Sequence, residues 1–104
     1  MIGRMARYRS SGDPQELAKQ AETGVLPVFE AQPGFRGYSL AADGSDILSL
    51  SVWDSRAEAE AGSAVVADWV AGNMSEQIEL LDLRYVEILL STTLGISTTA
   101  GATA

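Results

Sequence analysis

A chain of 104 residues, 46% of them hydrophobic, is a single domain long enough to bury one core without covalent staples. It contains neither cysteine nor histidine, which excludes disulfides, Ser-His-Asp and Cys-His nucleophile arrangements, and the usual zinc and axial haem ligands. A net charge of −7 argues against nucleic acid as a partner, because such binding rests on Lys and Arg displacing counterions from phosphates.

Residues 2–9 read as a first strand with Ile2, Arg4, Ala6 and Tyr8 on one face and Gly3, Met5, Arg7 and Arg9 on the other. The same arginines leave no apolar stretch for a signal peptide, and no run approaches the ~18 apolar residues of a membrane span. The expected location is the cytoplasm, with no membrane partner. Asp13-Pro14-Gln15-Glu16 predicts a capped helix start, and Leu17, Ala21, Val25 and Val28 predict its apolar stripe. Pro27 should kink that helix or end it at about Leu26, and Pro33-Gly34 must turn the chain.

Phe35 to Ala41 and Asp46 to Trp53 predict a hairpin turning at Asp43-Gly44, with Leu40 opposite Ile47, Tyr38 opposite Ser49 and Arg36 opposite Ser51. One face then holds Phe35, Leu48, Leu50 and Val52. The other holds Arg36, Tyr38, Ser49, Ser51 and Trp53, polar groups that need partners or a ligand if buried. Ser55-Arg56-Ala57-Glu58 is a second capping box, opening a helix to about Val70 that should bury Ala57, Ala61, Ala64, Val65 and Trp69. Residues 78–90 read as a strand apolar on both faces, with Ile78, Leu80, Val86 and Ile88 on one and Leu81, Leu83, Tyr85 and Leu89 on the other. Residues 1–90 thus form the domain, and 91–104, rich in Ser, Thr, Gly and Ala, form a mobile tail or an arm lying on a neighbour.

The order β-α-β-β-α-β is the split pattern of the ferredoxin-like α+β fold, a four-stranded antiparallel sheet with both helices on one face. Strands apolar on both faces then call for a second copy on the helix-free face, a C2 homodimer.

Gln32-Pro33-Gly34-Phe35-Arg36-Gly37-Tyr38 after the first helix, and Ser51-Val52-Trp53-Asp54-Ser55 with Glu58-Ala59 after the hairpin, resemble the antibiotic biosynthesis monooxygenase-like domain of the dimeric α+β barrel superfamily. The resemblance covers roughly residues 2–90 and is nearest to small bacterial members with a segment like Ala67-Asp68-Trp69-Val70. It implies a dimeric α+β barrel, a cleft between sheet and helices in each protomer, and oxygenation of phenolic or quinol polyketides with no cofactor. The strand-end Trp of that pattern matches Trp53. Ser49 stands where an Asn is expected, Ala59 where a Tyr is expected, and Asn73 near an expected Arg. The haem-degrading members need an iron-ligating His, which this chain lacks.

The candidate ligand-binding residues are therefore Trp53, Tyr38, Ser49, Ser51, Arg36 and Trp69, with no metal ligand and no catalytic residue assigned. Trp53 either stacks on an aromatic ligand or closes the core, and Trp69 is more simply a packing residue. Arg4, Arg7 and Arg84 are candidates for an anionic site, although Arg84 near Asp82 reads more simply as an ion pair. Two functions follow: binding or oxidation of a small aromatic compound, and a non-catalytic ligand-binding or accessory dimer.

Overall fold

The computed structural model describes residues 1–74 and 77–98. Strands β1 (Ile2–Ser10), β2 (Phe35–Asp43), β3 (Asp46–Trp53) and β4 (Ile78–Glu87) form one antiparallel sheet in the order β2-β3-β1-β4. The helices α1 (Pro14–Gln20), α2 (Leu26–Glu30) and α3 (Arg56–Asn73) all contribute to the core on one sheet face, where Ile47 and Trp53 project. The ferredoxin-like expectation holds. No helix among the described residues is long and apolar enough to cross a membrane.

Between α1 and α2 the helix widens into a π-helical segment, Ala21–Val25. Leu17, Ala21, Val25 and Phe29 are buried at steps of four residues. Four residues overshoot a 3.6-residue turn, so a stripe of this spacing would wind off the sheet; the wider π turn brings it back. Of the two outcomes expected at Pro27, the helix does not end at about Leu26. Pro27 falls in the first turn of α2, where its missing N–H is not needed, and the helix continues to Glu30. The stripe accordingly ends on buried Phe29 rather than on Val28. Asp13 occupies the cap position of α1, but its side chain makes no cap hydrogen bond.

The hairpin turns one residue later than expected, at Gly44-Ser45 between paired Asp43 and Asp46, with Gly44 at φ +60° as a two-residue turn of this hand requires. Leu40 therefore pairs with Ser49 and Tyr38 with Ser51. A two-residue slip preserves the faces, so Tyr38, Ser49, Ser51 and Trp53 still share one. Phe35 does not follow its expected face. A bulge between Phe35 and Gly37 sets Phe35 opposite Trp53, on the helix side.

A second bulge, opposite Arg7 and Tyr8, interrupts β4. It pairs Leu80 with Tyr8, Leu83 with Ala6 and Tyr85 with Arg4, so the two halves of β4 exchange faces and the expected division of its side chains is corrected. Helix α3 is also rotated from its expected phase. Ala59, Gly62, Ser63 and Val66 are buried, whereas Ala57, Ala61, Ala64 and Val65 are exposed. Alanine on every side of α3 leaves its apolar phase undetermined, and the bulk of Trp53, which only a glycine can face, decides it.

After β4 the chain is held by the Ile88 amide donating to the Met1 carbonyl, and Ser91 and Ile96 close a short turn by reciprocal backbone hydrogen bonds of 2.8 and 2.9 Å. The remainder of the predicted tail, from residue 99, lies outside the described residues.

Candidate functional site

The helix-covered face divides along its length. At the Trp53 end it is closed. Phe29 stacks on Phe35 at 5.5 Å and meets the Trp53 ring edge-on at 5.6 Å, and Trp53 is 0% exposed. The indole N–H donates to the Ser51 hydroxyl over 2.9 Å, so the polar atom of this buried ring is satisfied. A Cβ on Gly62 would collide with the same ring, so α3 approaches the sheet this closely only through glycine.

Toward the other end the packing opens. An inner cavity of about 40 Å³ lies among Arg4, Tyr8, Phe29, Tyr38, Ser49 and Val66. It adjoins an outer cleft of about 230 Å³ between α3 and the β1–β4 edge, walled by Arg4, Tyr8, Val66, Val70, Ile78 and Leu80. Tyr38 belongs to both regions, its ring 5.0 Å from Phe29 and its side chain lining the cavity.

The electrostatics of this opening are set by few groups. Burial pushes the Tyr38 phenol above its ordinary pKa; Ser49 and the Arg4 charge pull it down, and Tyr8 pushes it up. The phenol is thus neutral at physiological pH and available as a hydrogen-bond donor. Arg4 is buried in the second-central strand, yet its Nε has no hydrogen-bond partner among the described residues. No carboxylate lines the cavity or the outer cleft, and no group of three Asp or Glu gathers where a metal ion could sit among the described residues.

Of the residues singled out in the sequence, the structure brings Tyr38 and Ser49 together on the cavity wall. Trp53 and Ser51 lie behind them in the sealed end, joined to each other. Arg36 is exposed at the sheet edge, where its Nε and Nη2 donate to the two carboxylate oxygens of Asp54 over 2.6 and 3.0 Å. Trp69 packs its ring where a Cβ on Gly24 would stand, clamping α3 to the π-helical segment. Among the arginines, β1 alternation separates Arg4, on the helix side, from Arg7 on the helix-free face, and Arg84 pairs with Asp82 over 3.2 Å. Arg4 and Tyr8 were legible as lining residues, since they share the strand parity of Ala6. Val66, Val70 and Met74 were not, because they depend on the rotation of α3.

No family description and no curated protein matches the chain. Solved structures do. SnoaB, a cofactor-independent oxygenase from Streptomyces nogalater, superposes with a TM-score of 0.71 at 14% identity, over 88% of this chain and 95% of its own. A candidate antibiotic biosynthesis monooxygenase from Chloroflexus aurantiacus matches 90% of this chain and 98% of its own at 19% identity and a TM-score of 0.66. Rv0793 from Mycobacterium tuberculosis matches 88% and 97%, at 17% identity and a TM-score of 0.63. In fold the chain is similar to these antibiotic biosynthesis monooxygenase-like structures, sharing an α+β architecture with them over most of both chains.

Proposed function

We propose that the cleft between α3 and the β1–β4 edge binds a small aromatic compound of the quinol type and supports its reaction with dioxygen without a bound cofactor. The observation that carries this is the cleft itself: an opening of about 230 Å³ with aliphatic walls that leads to the ring of Tyr8 and, through the inner cavity, to Tyr38 and Ser49. Its size, below the ~300 Å³ of drug-sized sites, suits one or two fused rings. Among the described residues no carboxylate lines its walls, so in this reading the substrate's own anion reacts with dioxygen and the protein contributes position and removal of water. SnoaB, a cofactor-independent oxygenase on the same fold, supports this reading. Oxygen consumption with a naphthohydroquinone tests it: turnover that falls in Tyr38→Phe and persists in Trp53→Phe is expected, and no consumption above the protein-free rate overturns it.

A second reading, non-catalytic binding in the same cleft, draws support from Ser49 and from Ala59, which is 0% exposed and leaves no room for a larger side chain. Binding of the quinol without oxygen uptake would select it.

The partner in this proposal is a second copy. On the helix-free face Met5 and Leu48 are 49% and 51% exposed beside half-buried Leu50, while Val52 is already buried at 4%. Burying that patch recovers ~25 cal/mol per Å², and a sheet-to-sheet homodimer covers it on both copies at once. Light scattering at micromolar concentration should give twice the chain mass, and Leu48→Glu should halve it. A monomer in the unaltered protein removes the proposal.

A further inference from the structure

Arg4 is 7% exposed, and among the described residues its Nε has no hydrogen-bond partner and no ion pair includes it. A guanidinium does not give up its proton to escape burial, as a lysine can. Buried cations are therefore ordinarily matched by a carboxylate, and none of the described residues supplies one at this position, which lines both the inner cavity and the outer cleft. The groups around it are the phenols of Tyr8 and Tyr38 and the hydroxyl of Ser49, which can donate to an anion but supply no charge.

We infer that Arg4 is an anion-recognition residue and that the ligand of this cleft is an aromatic acid, its ionised oxygen group, carboxylate or phenolate, docked on Arg4 and its ring body between α3 and the β1–β4 edge. This rests on the reading of the cleft as an aromatic-binding site. A single cation set in apolar walls, inside a chain of net charge −7, selects a monoanion and rejects phosphate esters and other polyanions. The free Nε and its neighbouring Nη form the edge of the guanidinium that pairs with two oxygens of one carboxylate, whereas a phenolate engages it through one oxygen.

Calorimetric titration of the full chain at pH 7 separates the possibilities, with 2-naphthoate, its neutral isostere 2-naphthamide, and a dinitronaphthol ionised at that pH. 2-Naphthoate is expected to bind about tenfold or more tightly than 2-naphthamide, as a charge-assisted hydrogen bond implies. Arg4→Gln should abolish that preference, and Lys19→Gln, which removes an exposed charge, should leave it. The tighter of naphthoate and the ionised naphthol names the source of the anion. Equal binding of naphthoate and naphthamide by the unaltered protein overturns the inference while leaving an aromatic cleft in place. A preference that survives in Arg4→Gln overturns the role of Arg4. Failure of all three compounds to bind at millimolar concentration overturns the cleft reading and the inference with it. Should Arg4→Gln not fold, the naphthoate and naphthamide pair on the unaltered protein still decides.

Discussion

The two ends of the helix-covered sheet face are built on the same strands and under the same helices, yet they differ in one respect. At the Trp53 end the volume is filled and the indole N–H has its acceptor in Ser51. At the Arg4 end space remains and a guanidinium nitrogen lies buried without an acceptor. Close packing with satisfied polar atoms stabilises a fold; imperfect satisfaction costs stability and persists where a ligand completes it. The sealed end holds the molecule together, and the open end is where the proposed ligand would complete it.

Substitutions at the two ends should therefore have opposite signs. Trp53→Ala would leave a cavity under Phe29 and Phe35 and should cost ~3–5 kcal/mol, enough to unfold much of a small domain; urea denaturation followed by far-UV circular dichroism checks it. Gly62→Ala forces a methyl group into the Trp53 ring and should cost ~1–3 kcal/mol in the same measurement, mainly by pushing α3 off the sheet. Arg4→Met, at the open end, should instead raise the unfolding free energy from the same urea titration by about 1 kcal/mol, because it replaces an unsatisfied buried cation with an apolar chain of similar length. A loss of stability comparable to that of Gly62→Ala would erase the distinction between the ends.

The smallest effect belongs to the exposed pair outside both regions. Hydrogen bonding to Arg36 holds the Asp54 carboxyl below its ordinary value of 3.8, so the pair's contribution is complete above that pH and is lost as pH falls through the lower folded value. Because both groups are solvent-exposed, Asp54→Asn should shift the melting temperature only slightly at pH 7, and the shift should shrink as the pH falls through the lowered folded value. A large shift at neutral pH would mean that the strand edge contributes as much as the core.

Local chemistry made much of this fold legible. The Ser55 cap is formed as its spacing implies, with the hydroxyl accepting from the Glu58 amide over 3.2 Å and donating to the Glu58 carboxylate over 2.9 Å. Strand alternation placed Tyr38, Ser49, Ser51 and Trp53 on one face, and Arg4 with Tyr8, before any contact was known. It failed at Phe35 and across Leu81, where an inserted residue reverses the parity; Gly37 marks the first bulge, whereas no glycine marks the second. The candidate site was half legible for the same reason. Tyr38 and Ser49 follow from alternation, whereas the separation of Trp53 from the cavity depends on Phe29, Phe35 and Gly62 meeting from three distant elements.

Composition and order alone settled what this chain cannot do with histidine or cysteine, and the succession of strands and helices that gives its sheet, because absence of a side chain and local capping are properties of the sequence itself. Tertiary structure decided the phase of α3, the widened turn that carries Pro27 and the burial of Arg4 with no counter-charge among the described residues. Each of these depends on which distant side chains compete for the same volume, and an alanine-rich helix or a lone arginine carries no local mark of that outcome.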